Sequence, residues 1–177
     1  NPYYKELGGD NKKIIMYSGS INEKLSCETL IQAIKILDKR KDILWIICGN
    51  GPKKSYLIKR LKKNINVKFY DFQPYEKLPY WLNIADIHLI PQKLSSIKFC
   101  LPSKLLGILA SGKAVIGIAP QDSELGNILD NYGIRLSNEN PKEMADALLK
   151  LLENEELRLK LGESSKKYIK TNHEKSL

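Results

Sequence analysis

The sequence predicts an α/β domain built on a doubly wound, parallel, six-stranded sheet of the Rossmann-like kind. Three observations predict it. Short apolar runs alternate along the chain with segments whose apolar residues recur at helical spacing. Some of those runs, residues 43–48 above all, are apolar at successive rather than alternate positions, as strands buried on both faces require. Turns bearing glycine or proline close several of the runs, among them Gly49-Asn50-Gly51-Pro52. With right-handed crossovers the strand order becomes 3-2-1-4-5-6. Ligands then bind at the strand C-termini where the order reverses, between the first and fourth strands.

In chain order, residues 1–12 carry Pro2, Gly8 and Gly9 without a period and read as a linker or the tail of a preceding domain. Residues 14–18 form the first strand, ending at Gly19. A helix over 27–37 places Leu30, Ile31, Ile34 and Leu37 on one face. The second strand is followed by a basic helix over 53–63 with Leu57, Ile58 and Leu61 at helical spacing. Residues 66–70 make the third strand and 75–84 a short helix with Leu78, Trp81 and Leu82 inward, Pro79 falling in its first turn, where proline is tolerated. Residues 87–90 are the fourth strand, 114–118 the fifth and 134–136 a short sixth, with a helix over 123–129 between the last two. Asn140, Pro141 and Glu143 have the order N-cap, N1 and N3, which opens a helix to about residue 152. A final helical segment over 155–170 holds Leu157, Leu159, Leu161 and Tyr168. The domain proper is expected over 13–160, with a C-terminal helix and frayed tail over 161–177.

The whole chain bounds the function classes. Its 177 residues suffice for one well-buried domain. It starts at Asn1 rather than a methionine, so a fragment of a longer protein is expected. An apolar share of 42% and a charged share of 28% are those of a globular protein. No apolar run approaches ~18 residues and the N-terminus does not resemble a signal peptide, so the cytoplasm is the expected location. Cys27, Cys48 and Cys100 are an odd set without metal spacing, which fits reduced thiols. The net charge of +9 favours acidic ligands or surfaces. Much of it lies in Lys53, Lys54, Lys59, Arg60, Lys62 and Lys63, where a solvated helix face is the ordinary explanation. Tyr56 is the one aromatic in that run, so nucleic acid is not an expected partner.

The candidate site lies where the topology places it. After the first strand comes a loop, Gly19-Ser20-Ile21-Asn22-Glu23-Lys24, with a glycine for close backbone approach and a lysine. After the fourth comes a loop over 91–101 that leads into Pro102-Ser103-Lys104, where an apolar helix opens. Helix N-terminal amides and two cations converging on one cleft suit a diphosphate. Gly107, Gly112 and Lys113 mimic the spacing of a Walker phosphate loop, yet Ala114 replaces the metal-binding Ser/Thr and a strand, not a helix, follows. Gly112 instead reads as a helix terminator. His88 in a strand and His173 in the tail assemble no Ser/His/Asp or metal-ligand set. Asp71 and Asp86 sit at strand ends as turn or cap residues, and no residue reads as a general base.

Seven segments then occur in a recognisable order: Tyr17-Ser18-Gly19-Ser20-Ile21, Glu28-Thr29-Leu30, Cys48-Gly49-Asn50-Gly51-Pro52, Gln73-Pro74-Tyr75-Glu76-Lys77-Leu78-Pro79, Ala85-Asp86-Ile87-His88-Leu89-Ile90-Pro91, Pro102-Ser103-Lys104-Leu105 and Ser123-Glu124-Leu125-Gly126. Together, over about residues 13–161, they resemble the C-terminal domain of retaining GT-B glycosyltransferases of family 4, especially colanic-acid-type fucosyltransferases. That resemblance implies the nucleotide-sugar donor half of a two-domain enzyme of cell-envelope polysaccharide synthesis, with a missing N-terminal domain and a saccharide or lipid-linked acceptor. It implies Gly19, Ser20, Lys24, Ser103 and Lys104 at the donor diphosphate, Phe72, Gln73 and Gly107 on the base and ribose side, and Gln92, Lys93, Cys100 and Leu101 on the sugar side. It implies no metal and no cofactor, the nucleoside-diphosphate sugar being a substrate. Phe99 and Gly107 depart from the family pattern, which has glutamates there, and Ser20 and Ser26 replace residues that are often basic or glycine. The basic charge raises peripheral attachment to an anionic membrane as a further expectation. The competing readings are a non-catalytic binding module that uses its basic face, and a degenerate scaffolding domain.

Overall fold

The computed structural model describes Tyr4, Leu7 and residues 11–96 and 101–173. Among the described residues six strands are laid out in the order β3-β2-β1-β4-β5-β6, every neighbouring pair parallel. They are β1 (Lys13–Ser18), β2 (Ile43–Cys48), β3 (Val67–Tyr70), β4 (Ile87–Ile90), β5 (Ala114–Ile118) and β6 (Ile134–Leu136). The order agrees with the sequence expectation. It reverses between β1 and β4, where Ile15, Met16 and Tyr17 stand opposite Ile87, His88 and Leu89.

Among the described residues seven α-helices cover the two faces: α1 (Cys27–Ile36), α2 (Lys54–Leu61), α3 (Leu78–Ile84), α4 (Lys104–Ala110), α5 (Glu124–Tyr132), α6 (Pro141–Glu153) and α7 (Glu155–His173). Strand side chains alternate between the faces. Ile15, Tyr17, Trp45, Ile47, Leu89 and Ile116 join Leu30 and Ile34 of α1, Leu57 of α2 and Leu148 of α6 in one core. Val115 and Ile90 join Leu105, Ile108 and Leu129 on the other face, and Ile14, Met16, Leu44 and Ile46 pack there with Trp81 and Ile84. All six residues of β2 are buried, which explains its unbroken apolar run. Burying each such side chain contributes roughly 1.5–3 kcal/mol before the entropy of ordering is subtracted.

Local signals set the helix ends. Asn140 Oδ1 accepts from the amides of Lys142 at 2.9 Å and Glu143 at 3.3 Å, opening α6. Gly112, at φ +67, takes the left-handed position after α4 and sends the chain into β5 rather than around a phosphate.

Four details differ from expectation. Leu78 is exposed: residues 75–84 are not one helix but a 3₁₀ turn, Tyr75–Lys77, followed by α3, and Leu78 stands at the open first position of α3, where it lines a cleft at the strand ends instead of the core. Leu159 is also exposed; Arg158, buried and donating to the Leu151 carbonyl at 2.8 Å, and Gly162, against the Gly112 backbone, occupy the inward side of α7. That helix runs continuously from 155 across residue 160 and buries Ile169 among Ile108 and Leu129, so it is an integral layer of the domain. Within the stretch read as a linker, Leu7 is buried in the cluster of Ile14, Met16 and Trp81, and its carbonyl accepts from Lys68 Nζ at 2.7 Å.

Candidate functional site

A cleft of about 620 Å³ opens at the C-terminal ends of β1, β2 and β4, at the reversal of strand order. Its floor begins at Gly19. There φ is +147, and a Cβ would lie 3.2 Å from Lys104 Nζ, so glycine both permits the backbone turn and admits the lysine. Beneath it, Gly49 is at φ +154, and a Cβ there would fall 1.9 Å from the Gly19 carbonyl oxygen. The turn after β2 thus nests under the loop after β1. Gly19 N donates to Cys48 O, and Ile21 N to Asn50 O, both at 2.9 Å.

The loops after β1 and β4 face one another and are bonded together. Lys93 N donates to Lys24 O and Ser26 N to Pro91 O, each at 2.8 Å, with Leu25 paired antiparallel to Gln92. Asn22 Oδ1 accepts from Lys24 N at 3.0 Å, shaping the turn that presents the exposed lysine to the cleft.

Lys104 enters from the start of α4. Its ammonium lies 3.9 Å from the centre of the Tyr17 ring, in cation–π contact, and the Tyr17 hydroxyl donates to the Ser20 carbonyl at 2.7 Å. The residue as a whole is partly exposed, its ammonium end being the enclosed part. Loss of water around that end pushes its pKa down to about 7. Burial likewise pushes the Tyr17 phenol up, so the ring stays neutral. No Asp or Glu lines the cleft among the described residues, whereas two lysines do. Such a site attracts anions. Among the described residues no group of three or more His, Cys, Asp or Glu could hold a metal ion.

A family model described as glycosyl transferases group 1 matches residues 5–168. The chain belongs to that family. WcaI of Escherichia coli K12, named for colanic acid biosynthesis, is 38% identical over 125 residues, covering 70% of this chain and 30% of WcaI. The crystal structure of the C-terminal domain of the group 1 protein LpcC from Francisella tularensis superposes with a TM-score of 0.75 at 20% identity, covering 96% of this chain and 91% of that one. Anabaena HepE, solved with UDP-glucose, superposes with a TM-score of 0.80 at 14% identity, covering 96% of this chain and 47% of HepE. This group 1 domain therefore has the fold of those enzymes and spans less than half the length of WcaI or HepE.

Of the residues singled out in the sequence, Gly19, Ser20, Lys24, Phe72, Gln73, Gln92, Leu101, Ser103 and Lys104 line the cleft of the group 1 domain. Ser103 precedes α4, and its side chain makes no capping bond. Lys93 lies outside the lining and takes part through its backbone amide. Gly107 is also outside it, facing Leu82 on α3. Cys100 and Phe99 fall outside the described residues. Tyr17, the platform for Lys104, carried no sequence signal of a site. Cys48, buried with its thiol donating to the Asp71 carbonyl at 3.2 Å, reaches the cleft wall at the end of β2.

Several other titratable residues that the sequence draws attention to make structural bonds. Asp86 Oδ2 accepts from Ile14 N at 2.8 Å, tying the start of β4 to β1. Asp71 pairs with Lys54 at 2.5 Å. His88 is fully buried in β4, with Nε2 2.9 Å from the Leu82 carbonyl, and burial pushes its pKa down to about 4. On the basic helix, Lys53 pairs with Glu23 at 3.0 Å and Arg60 with Glu28 at 2.8 Å.

Proposed function

We propose that the cleft binds the diphosphate of a nucleoside-diphosphate sugar, and that the whole protein transfers the sugar, with retention, to a saccharide or lipid-linked acceptor of a cell-envelope polysaccharide. The observation that carries this reading is the convergence of Lys24 and Lys104 on a cleft whose described lining holds no carboxylate. Charge develops on the leaving diphosphate as the bond between the sugar's anomeric carbon and the phosphate oxygen breaks and the glycosidic bond to the acceptor forms, and cations already in place stabilise it without reorganising. Phe72, 56% exposed at the cleft wall, offers an apolar face for the base. HepE, a structural neighbour, was solved with UDP-glucose, and WcaI is named for colanic acid biosynthesis, which makes a nucleotide-linked fucose one donor to try. The acceptor site and the groups that complete catalysis belong to the portion of the relatives that this chain does not span, so the domain alone is expected to bind donor without transferring sugar.

Peripheral membrane attachment would use the basic surface. Lys35, Lys59, Lys62 and Lys63 gather near the C-terminal ends of α1 and α2, each of which leads into the start of the next strand. That is the edge of the sheet opposite the cleft, and lysines there complement the helix dipoles. Binding to vesicles that does not rise with anionic lipid content would remove this part of the proposal.

Calorimetric titration with UDP, GDP and dTDP tests the donor reading. One of them is expected to bind selectively, and Lys24→Ala to weaken it by about 1.5–3 kcal/mol, the range for a hydrogen bond to a charged group. Affinity unchanged in Lys24→Ala removes that residue from the site. Steeply salt-dependent nucleic-acid binding, indifferent to Lys24→Ala, would favour the non-catalytic module instead.

A further inference from the structure

Ser26 departs from the family pattern and lies outside the cleft lining, so the donor reading leaves it without a role. It is nevertheless buried, at 3% exposure, and its hydroxyl donates to Glu139 Oε2 at 2.6 Å. Glu139 comes from the turn between β6 and α6, 113 positions along the chain. Its other carboxylate oxygen, Oε1, accepts from Leu94 N at 3.1 Å, and its carbonyl accepts from Thr29 Oγ1 at 3.1 Å.

Counting hydrogens fixes the direction of these bonds. An ionised carboxylate only accepts, so Ser26 commits its single proton to Glu139. The Thr29 proton is then shared between the Glu139 carbonyl and the Ser26 oxygen, 2.9 Å away. The carboxylate therefore grips two segments at once, and these are the two already paired at the cleft rim. Lys93 N to Lys24 O, Ser26 N to Pro91 O and the Leu25–Gln92 bridge make a ladder of minimal length. So short a ladder has little stability of its own. Glu139 bridges its two strands from outside the cleft.

We propose that Glu139 is a positioning residue for the donor site. By binding Ser26 on one loop and Leu94 on the other, it holds the paired loops in the arrangement that presents Lys24 and Gln92 to the cleft. The inference rests on the donor reading, and its test separates the two.

The side chain of Glu139 is exposed, so Glu139→Ala opens no core cavity, and Ser26→Ala removes the other end of the bond. Two readouts are taken on the chain and both variants: amide hydrogen exchange over residues 90–96, and affinity for whichever of UDP, GDP and dTDP the chain binds. Exchange is expected to rise on the order of tenfold in both variants, as the loop pairing opens more often. Affinity is expected to fall roughly five- to tenfold in Glu139→Ala, most of that fall vanishing when Lys24 is already alanine, because residues acting through one another are not additive. Glu139→Gln, which keeps an acceptor for Leu94 N, should recover part of both. Unchanged exchange in Glu139→Ala overturns the proposal. So does faster exchange with full affinity, or a fall equally large in the Lys24→Ala background. Absence of nucleotide binding by the unaltered chain would sink the donor reading, and exchange alone would then decide whether Glu139 holds the loops.

Discussion

Binding of a diphosphate should drive a proton onto Lys104. In the cleft its ammonium sits against the Tyr17 ring, makes no ion pair with a carboxylate among the described residues, and has its pKa pushed down to about 7 by loss of water. At pH 8 about one Lys104 in ten is then charged. The negative charge of the bound diphosphate favours the ammonium and returns its pKa toward the ordinary lysine range. The linkage has a definite sign: the complex holds more protons than the free domain above pH 7, so affinity falls as pH rises. Uptake should be about 0.9 proton at pH 8 and about 0.5 at pH 7, and affinity should fall about 16-fold, or ~1.6 kcal/mol, between pH 7 and pH 8.5. Calorimetry in phosphate-free buffers of different ionisation enthalpy reads the uptake directly. Measuring above pH 7.5 keeps the terminal phosphate of the nucleotide, whose second pKa is about 6, out of the balance. In Lys104→Gln the uptake should vanish, while binding at pH 7 weakens. Uptake below about 0.2 proton at pH 8, or the same uptake in Lys104→Gln, would refute the reasoning, which requires a neutral lysine facing the phosphates.

Two further predictions concern the scaffold that holds this lysine. His88 is neutral in the fold, with a pKa near 4 against the ordinary 6.5, so the unfolded chain binds a proton that the folded chain refuses as pH drops. Stability from this group is complete above about pH 6.5 and is lost on going down toward pH 4, by about 2 kcal/mol between pH 7.5 and pH 5. Urea unfolding at the two pH values should show that extra loss in the unaltered chain and not in His88→Leu; equal losses would refute it. Gly49→Ala should cost roughly 2–4 kcal/mol, because its Cβ meets backbone, the Gly19 carbonyl, and cannot be relieved by a rotamer change; an unchanged urea midpoint would show that the nested loops can part freely.

The fold was legible because its signals are local or periodic. Six successive apolar residues in β2 announce burial on both faces, Asn140-Pro141 starts a helix by its own capping chemistry, and Gly112 stops one by its freedom at positive φ. From those, crossover handedness alone yields the strand order and the position of the cleft. The site was legible as far as topology reaches: Gly19, Lys24, Ser103 and Lys104 had to meet because the loops after β1 and β4 flank the reversal. What escaped depends on distance along the chain. The Ser26–Glu139 bond joins residues 113 positions apart, and Glu139 carries no periodic or motif signal that would pair it with Ser26. Tyr17 alternates in β1 like any core aromatic, and its role under Lys104 follows from a lysine that arrives from a helix more than eighty residues later. Leu78 has the helical spacing of an inward residue, three and four positions before Trp81 and Leu82, yet it stands at the first position of its helix and lines the cleft, and spacing alone does not show where a helix leaves the core.

Gly107 decides how the base and ribose side should be understood. The family resemblance puts a glutamate there, and the sequence puts a glycine in the interior of a seven-residue helix, where its backbone freedom costs about 0.5–1 kcal/mol relative to alanine. A Cβ at 107 would stand 3.3 Å from Leu82 Cδ1, tighter than a relaxed contact. Cδ1 is the far end of a flexible side chain, so a shift of a few tenths of an ångström relieves it. The helix term should therefore win, and Gly107→Ala should stabilise the domain by about 0.5 kcal/mol in urea unfolding. Nucleotide affinity should stay within twofold, because residue 107 faces α3 rather than the cleft. A stability gain with weakened binding would instead place the ribose against this helix and show that the glycine clears room for it. Lost stability would mean that α3 and α4 are too tightly packed to move, and a glutamate at 107 could then enter only with a change at Leu82.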